Sequence, residues 1–139
     1  VLQFEVGNPG FDINSVTENS VCYTGTHDND TTLGWFIGNG DDPRSEAEIH
    51  TQQTTTLTQT GGSAEPITID MIRLAFSSNS VLAVASMQDY LGLGSEARLN
   101  TPGTTQNNWR WRALPEQFNS DLSMSVQKLV RKTKRSKLG

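Results

Sequence analysis

The hydrophobic and polar pattern predicts a strand that leads into an acidic segment early in the chain. Residues 21–26 are mainly β-branched or aromatic, as is typical of a strand. The polarity changes abruptly at residues 27–30, His-Asp-Asn-Asp, before an apolar run from Leu33 to Ile37. Asp30 is well placed to cap a helix that opens there. In α/β folds, functional residues commonly lie between the carboxyl end of a strand and the start of the next helix. A His and acids at this position are therefore candidate functional residues.

Two other segments also predict strands. Residues 1–6 form a short apolar stretch that ends at the turn residues of 7–10, Gly-Asn-Pro-Gly. Residues 81–87 are almost continuously apolar, which is typical of a strand buried on both faces in a parallel sheet. This run ends in the polar pair Gln88 and Asp89. Of the three predicted strands, those at residues 21–26 and 81–87 are therefore each followed by polar side chains.

The remaining pattern predicts helices and one long connection. Residues 67–78 carry apolar side chains at helical spacing, and residues 122–130 predict an amphipathic closing helix. The pair Asp42 and Pro43 is typical of a helix start and predicts a short helix over residues 44–50. Residues 51–63 hold six Thr and two Gly without an apolar stripe, so we expect an exposed, mobile connection there.

The alternation of strands and helices predicts an α/β fold with a parallel sheet. Strands that end at His27-Asp28 and at Gln88-Asp89 would bring both polar pairs to one rim. That arrangement is the one found in barrels, whose functional residues cluster at the carboxyl ends of the strands. A chain of 139 residues is long enough for one domain.

Composition narrows the function classes further. The chain has 11 Lys and Arg against 15 Asp and Glu, for a net charge of −4, which argues against a nucleic-acid partner. Its single cysteine, Cys22, cannot form an internal disulfide and is expected to be a small buried hydrophobe. No stretch approaches the length of a membrane span. The chain begins in the middle of a pattern at Val1, which suggests a fragment of a longer protein.

The acidic segment 27–30 allows several interpretations. Acids and Asn at a helix start are ordinary capping residues. A calcium loop does not fit, because Leu33 stands where Gly is required and no bidentate Glu follows at the right distance. A metal site is weakly supported, since His50 is the only other His and no Cys pair or HExxH motif completes a shell. A carboxylate used for catalysis or for binding sugar hydroxyls remains.

Two basic segments have simple structural interpretations. Residues 107–112, Asn-Asn-Trp-Arg-Trp-Arg, could bind nucleic acid by stacking and phosphate contacts. The favoured alternative is a packed turn with Arg side chains over Trp faces, because the overall charge is negative. The basic end, residues 128–137, is best interpreted as a solvated helix face and a frayed tail.

Two long motifs carry a resemblance to a known family. Residues 23–35 read Tyr-Thr-Gly-Thr-His-Asp-Asn-Asp-Thr-Thr-Leu-Gly-Trp, and residues 88–103 read Gln-Asp-Tyr-Leu-Gly-Leu-Gly-Ser-Glu-Ala-Arg-Leu-Asn-Thr-Pro-Gly. Both closely resemble signatures of the 4-α-glucanotransferases, the amylomaltase or disproportionating-enzyme family. The Trp-Arg-Trp-Arg segment and the start at residues 1–4 are also similar to that family. The resemblance spans nearly the whole chain.

The resemblance implies a retaining glucan transfer on a (β/α)8 TIM barrel. In the family, a carboxylate on the fourth strand attacks the sugar, and a Glu on the fifth is the acid/base. A third carboxylate, at the end of the seventh strand, stabilises the oxocarbenium-like transition state. Asp28 matches this catalytic carboxylate, and His27 matches a neighbouring sugar-binding His. Asn100 is expected to face the same glucan cleft.

The resemblance also implies what this chain holds and lacks. The sixth, seventh and eighth barrel strands would be residues 1–6, 21–26 and 81–87, so residues 1–139 would be the C-terminal part of a single catalytic barrel. The nucleophile and the acid/base Glu lie upstream in family members, so we expect the chain alone to be inactive. The implied substrates are maltooligosaccharides or starch- and glycogen-type α-1,4-glucans, with no metal or organic cofactor, in the cytoplasm. The alternative is a non-catalytic glucan-binding or vestigial barrel fragment.

Overall fold

The computed structural model describes residues 1–39 and 42–135 as a small α/β unit. Two strands, β1 (Val21–Tyr23) and β2 (Leu82–Val84), are accompanied by six α-helices. The helices are α1 (Leu2–Glu5), α2 (Thr32–Ile37), α3 (Glu46–Thr60), α4 (Ile67–Ser77), α5 (Met87–Tyr90) and α6 (Ser120–Lys132). Single 3₁₀ turns span Ile13–Ser15, Ser95–Ala97 and Pro115–Gln117. None of the helices in the described part combines the length and apolar character of a membrane span.

The two strands are parallel neighbours, as the sequence predicts. Val21 pairs with Leu82, Cys22 with Ala83 and Tyr23 with Val84. Both strands are shorter than the predicted segments, although the amide of Thr24 still donates to the carbonyl of Val84 at 3.1 Å. Parallel pairing brings the carboxyl ends of both strands to one edge, where the loop after β1 meets the turn after β2.

Helix α4 provides most of the hydrophobic core, and its prediction is confirmed. Its apolar stripe packs against α2, α3, α5, α6 and both strands. Met71, Ile72 and Ala75 are fully buried, and Leu2 and Leu129 join them from the two ends of the chain. Cys22 is buried in the same cluster, as expected, and burial raises the pKa of its thiol. The core therefore lies on the helical side of the strand pair.

The other side of the strand pair is open. Val21 is 42% exposed, and its strand partner Leu82, on the same face of the pair, is 52% exposed. The prediction that residues 81–87 form a strand covered on both faces is therefore wrong for this chain. An apolar strand with one uncovered face is expected when the layer that covers it is contributed by residues outside the unit.

The predicted strand over residues 1–6 is wrong, because this segment is helix α1. Leu2 and Val6 are both buried, and the amide of Val6 donates to the carbonyl of Leu2 at 2.8 Å. Spacing of four residues puts both side chains on one helical face. The amide of Gln3 donates to the carbonyl of Thr24 at 3.2 Å, so α1 is fixed to the end of β1. The chain accordingly holds two strands in its described part rather than three.

The predicted exposed connection at residues 51–63 is also wrong, because α3 continues to Thr60. Four of its Thr hydroxyls donate to the carbonyl four residues earlier, among them Thr51 to Ala47 at 2.9 Å. Its polar side chains also bind neighbouring segments, as Gln53 does when its amide donates to the carbonyl of Phe36 at 2.8 Å. Thr56 is fully buried. The polar side chains of α3 therefore divide between an exposed side, which includes Thr51, Thr54 and Thr58, and a side that packs against neighbouring segments.

The predicted helix starts are displaced by a few residues. Thr31, not Asp30, caps α2, with its hydroxyl accepting from the amide of Gly34 at 3.0 Å. Ser45, not Asp42, caps α3 in a capping box with Glu48. In both helices the observed cap is a hydroxyl residue in place of the predicted Asp. Ser and Thr oxygens reach the third helical amide well.

The closing helix α6 is confirmed, and the predicted frayed tail is wrong as far as Arg135. The guanidinium of Arg135 donates to the carbonyls of Phe76 and Ser78 at 2.6 and 2.8 Å, so it fastens the chain to the end of α4. Residues 136–139, which the predicted tail includes in part, lie outside the described residues.

Candidate active site

The loop that follows β1 is held in shape by Asn29. Its side-chain oxygen accepts from both the amide and the hydroxyl of Thr26, at 2.9 and 2.8 Å. The amide of Asn29 donates back to the carbonyl of Thr26 at 3.2 Å. Gly25 lets this loop approach α1, since a Cβ there would lie 2.7 Å from the Nε2 atom of Gln3. The reciprocal bonds close a tight turn that presents the next side chains, His27 and Asp28, outward.

Asp28 lies at the centre of a small polar cluster. Its Oδ1 atom accepts from the Nδ2 of Asn100 at 2.6 Å, and the Nε2 of His27 lies 3.3 Å from the same oxygen. The Oδ2 atom accepts no hydrogen bond from any described residue. The Asp28 side chain is 50% exposed. One carboxylate oxygen is thus fixed by protein, while the other is available to a ligand.

Asn100 belongs to a second loop, which is built around Asn108. The side-chain oxygen of Asn108 accepts from the amide of Thr101 at 2.9 Å, and its Nδ2 donates to the carbonyl of Thr104 at 3.0 Å. The following Trp109 has a φ of 61°, and its amide donates to the carbonyl of Leu99 at 2.6 Å. This hairpin-like closure fixes the residues on either side of Asn100.

The structure brings all three sequence-predicted site residues together. Asp28 and His27 come from the loop after β1, and Asn100 comes from the loop beyond α5, 72 residues later. The Trp109 ring extends the cluster, with its centroid 5.2 Å from that of the His27 ring and the planes tilted by 39°. Together these groups offer a carboxylate, an imidazole, an amide and an aromatic face, a set that suits polyhydroxylated ligands.

The predicted stacking of Arg side chains over Trp faces at residues 107–112 is wrong. Arg112 instead donates to the carbonyls of Trp109 and Trp111, at 3.0 and 2.7 Å. Within the described residues, the cation–π contact is made by Arg44, whose guanidinium carbon lies 5.8 Å from the Trp35 ring centroid. The family resemblance of this segment is in keeping with a position of Trp109 near the site. The sequence does not indicate that its ring contacts the ring of His27.

Two other acids near the site have structural roles. Asp30 accepts from the amide of Thr31 at 2.8 Å and from the hydroxyl of Ser95 at 2.6 Å. Asp89 is 2% exposed, and its two oxygens accept from the hydroxyl of Thr24 at 2.7 Å and the amide of Thr32 at 2.8 Å. These bonds join the two strand ends to α2 and hold the rim together.

Open space lies on both sides of the loop after β1. A cleft of about 490 Å³ is bordered by His27, Tyr23 and Ser86, and another of about 600 Å³ by Asp28, Trp35 and Asn108. The second cleft also borders Asp42 and Arg44, where the hydrogen bond from the Arg44 guanidinium lowers the pKa of the Asp42 carboxyl. In residues 1–39 and 42–135, no group of three or more His, Cys, Asp or Glu side chains is placed to hold a metal ion.

Comparison with known proteins identifies the family of this chain. A sequence profile described as 4-alpha-glucanotransferase matches residues 1–117, which include both loops of the cluster. The chain belongs to the 4-alpha-glucanotransferase family. Over 117 residues it is 45% identical to a 4-alpha-glucanotransferase of Synechocystis, an alignment that covers 84% of this chain and 22% of the relative. Another 4-alpha-glucanotransferase, from Clostridium butyricum, is 36% identical over 135 residues, covering 94% of this chain and 26% of the relative.

Structural comparison gives the same family. An amylomaltase from Streptococcus agalactiae, solved in complex with acarbose, superposes with a TM-score of 0.81 at 25% sequence identity. The superposition covers 96% of this chain and 26% of that one, so the fold is an α/β fold that resembles amylomaltase. The chain spans about a fifth to a quarter of the length of the curated 4-alpha-glucanotransferases that it matches.

Proposed function

We propose that this chain forms the part of a 4-α-glucanotransferase that stabilises the transition state of glucan transfer. The observation that carries the proposal is the cluster in which Asn100 and His27 contact one oxygen of Asp28 while its other oxygen stays open. The family match over both loops supports it. The substrates would be maltooligosaccharides or longer α-1,4-glucans, transferred to glucose or to a glucan 4-hydroxyl.

Asp28 would act by charge. As the glycosidic bond breaks, the sugar ring develops positive charge, and a fixed carboxylate nearby lowers the energy of that state. His27 and Asn100 would donate to sugar hydroxyls, and the exposed face of Trp109 lies beside them. None of these groups is the covalent nucleophile in this proposal, because the family resemblance gives that role to a carboxylate on the fourth barrel strand.

The retaining double displacement needs two further carboxyl groups about 5–5.5 Å apart across the scissile bond. In the proposed enzyme, both would come from the larger part of the relatives that this chain does not cover. The parallel strands β1 and β2 would be the seventh and eighth strands of a (β/α)8 barrel. The exposed side chains of Val21 and Leu82 support this, since a barrel interior would cover them. The cytoplasmic location stays a prediction, and a relative from Arabidopsis thaliana is chloroplastic or amyloplastic.

The activity can be tested on the complete protein that carries these residues. Incubation with maltotriose should give glucose together with maltooligosaccharides longer than the substrate. Newly formed linkages should keep the α configuration when followed by proton NMR, since two inversions restore it. Acarbose should inhibit the reaction, in keeping with its presence in the related amylomaltase structure. Acarbose binding without turnover would favour the alternative, a glucan-binding protein without catalysis.

The chain of 139 residues by itself should not catalyse the reaction. The motivation is chemical, because removing a covalent nucleophile removes the mechanism rather than slowing it. The uncovered strand face formed by Val21 and Leu82 should also make the isolated chain prone to association. Disproportionation of maltotriose by the purified chain, at a rate like that of the complete protein, would contradict the proposed division of roles.

A further inference from the structure

One side chain, Arg98, connects the two loops that carry the polar cluster. Its Nε atom donates to the carbonyl of Asn100 at 2.9 Å, and its Nη2 atom donates to the carbonyl of Asp28 at 2.8 Å. Arg98 follows the 3₁₀ turn Ser95–Ala97 and is half-buried, bordering both clefts. A single planar group therefore fixes the backbone on both sides of the Asp28–Asn100 hydrogen bond.

The choice of acceptors is informative. A guanidinium beside an aspartate commonly binds the carboxylate with two parallel hydrogen bonds. Here it binds two main-chain carbonyls, while the Asp28 carboxylate is contacted by Asn100 and His27. The negative charge of Asp28 is therefore left to face the cleft, while its backbone and that of Asn100 are held at a fixed separation.

We propose that Arg98 is a positioning residue, which sets the geometry of Asp28 and Asn100 through their carbonyl groups without touching substrate. We call the two hydrogen bonds from Arg98 to the carbonyls of Asp28 and Asn100 the clamp. The kinetic consequence of this proposal rests on the proposed transfer function, but the clamp itself is a property of the two loops. The fork geometry is essential, because a lysine carries the same charge on a flexible point donor and cannot hold two carbonyls in a fixed plane.

The first test compares three variants in the complete protein, with maltotriose as substrate. Arg98→Met removes the clamp, and misplacement of a catalytic group by about 1 Å can cost roughly 10²-fold in rate. We expect kcat to fall by about that factor with a much smaller change in KM. Arg98→Lys should recover only part of the loss. The control is Arg131→Met, because Arg131 is exposed in the last turn of α6, and it should behave as wild type.

A double-mutant cycle with Asp28→Asn separates positioning from general stability. If Arg98 acts by positioning the Asp28 carboxylate, the double variant should be little slower than the slower single variant, because the group that Arg98 positions has already lost its charge. Additive losses, or a kcat for Arg98→Met equal to that of wild type, would overturn the proposal. Full recovery by Arg98→Lys would also overturn it, since charge alone would then be sufficient.

Hydrogen–deuterium exchange tests the clamp without relying on turnover. In Arg98→Met, amides of residues 26–30 and of 99–101 should exchange about tenfold faster, as expected when hydrogen bonds to a charged donor are lost. Exchange in α4 should be unchanged, which also shows that the variant is folded. Unaltered exchange in both loops would refute the clamp even in an active enzyme. Loop exchange that changes as expected in a protein without transferase activity would refute only the proposed function.

Discussion

The loop after β1 and helix α5, which follows β2, each present an aspartate near the carboxyl end of a parallel strand. The two side chains have opposite surroundings. Asp28 is half-exposed, with one oxygen in contact with Asn100 and His27 and the other open. Asp89 is buried, and both of its oxygens accept hydrogen bonds from Thr24 and Thr32. Position at a strand end therefore does not decide the role of an acid. The availability of its oxygens does.

This comparison has a physical basis. A buried carboxylate is tolerated only when its oxygens are hydrogen-bonded, and Asp89 uses both of its oxygens to join β1 to the start of α2. The other side-chain oxygen of Asp28 is open to accept a hydrogen bond from a bound ligand. We infer that Asp89 holds the rim in shape so that Asp28 can meet a ligand there.

The largest expected effect on stability comes from Asp89→Ala. It leaves the Thr24 hydroxyl and the Thr32 amide without their acceptor in a buried site, at about 1–3 kcal/mol for each group, so the free energy of unfolding should fall by about 2–6 kcal/mol. Chemical denaturation of the complete protein measures this loss. Asp121→Ala is the control, because Asp121 is exposed on α6 and should cost no more than about 1 kcal/mol. Equal losses for both variants would remove the distinction between the two strand-end acids.

His27→Ala should have a moderate effect on activity. The variant removes an imidazole that contacts Asp28 and the Trp109 ring and that we propose binds sugar hydroxyls. Loss of one such hydrogen bond is worth about 0.5–1.5 kcal/mol, or roughly two- to twelvefold in kcat/KM, shared between kcat and KM. Steady-state kinetics with maltotriose gives both parameters. An effect confined to kcat and as large as that of an Asp28 variant would assign His27 a different role.

The smallest expected effect concerns a third acid, Asp42, whose partner is charged. The Arg44 guanidinium lies 2.5 Å from its Oδ2 atom and lowers the pKa of the Asp42 carboxyl. Because the folded pKa lies below the unfolded value, the pair stabilises the fold above about pH 4, and this contribution is lost as pH falls through the lowered pKa.

Melting temperatures of wild type and Asp42→Asn across this pH range test the Asp42 prediction. The variant should be less stable near neutral pH by up to about 1 kcal/mol, and the difference should shrink in acid. A difference that stays constant from pH 7 to pH 3 would show that the charge of Asp42 contributes nothing.

The sequence predicts the apolar elements of the fold well and the polar ones poorly. Helix α4 and the parallel strand pair follow directly from apolar periodicity, because burial of those side chains decides their structure. Helix α3 does not, since Gln side chains, among them Gln53 and Gln59, bind it to other segments. The pattern does not predict helix α1, because a stretch of six residues fits the helical and the strand period equally well. The hydrogen bond from the Gln3 amide to the carbonyl of Thr24 decides in favour of the helix.

The site shows a similar division. Its three predicted residues come from motif resemblance, and the structure places them in one cluster. The residues that hold them, Asn29 and Arg98, act through backbone groups 2 to 70 positions away, and composition and spacing carry no sign of such contacts. Side chains that bind backbone across loops become visible only when the fold brings the loops together.

The most direct test of the account is Asp28→Asn, measured for kcat, KM and melting temperature in the complete protein. The change keeps the shape of the side chain and removes its charge. We expect kcat to fall by roughly 10²–10³, equivalent to about 2.7–4 kcal/mol of transition-state stabilisation, with little change in KM. The melting temperature should stay close to that of wild type, because the side chain is half-exposed. Near-normal turnover with a lowered melting temperature would contradict the account, since Asp28 would then be a structural acid like Asp89.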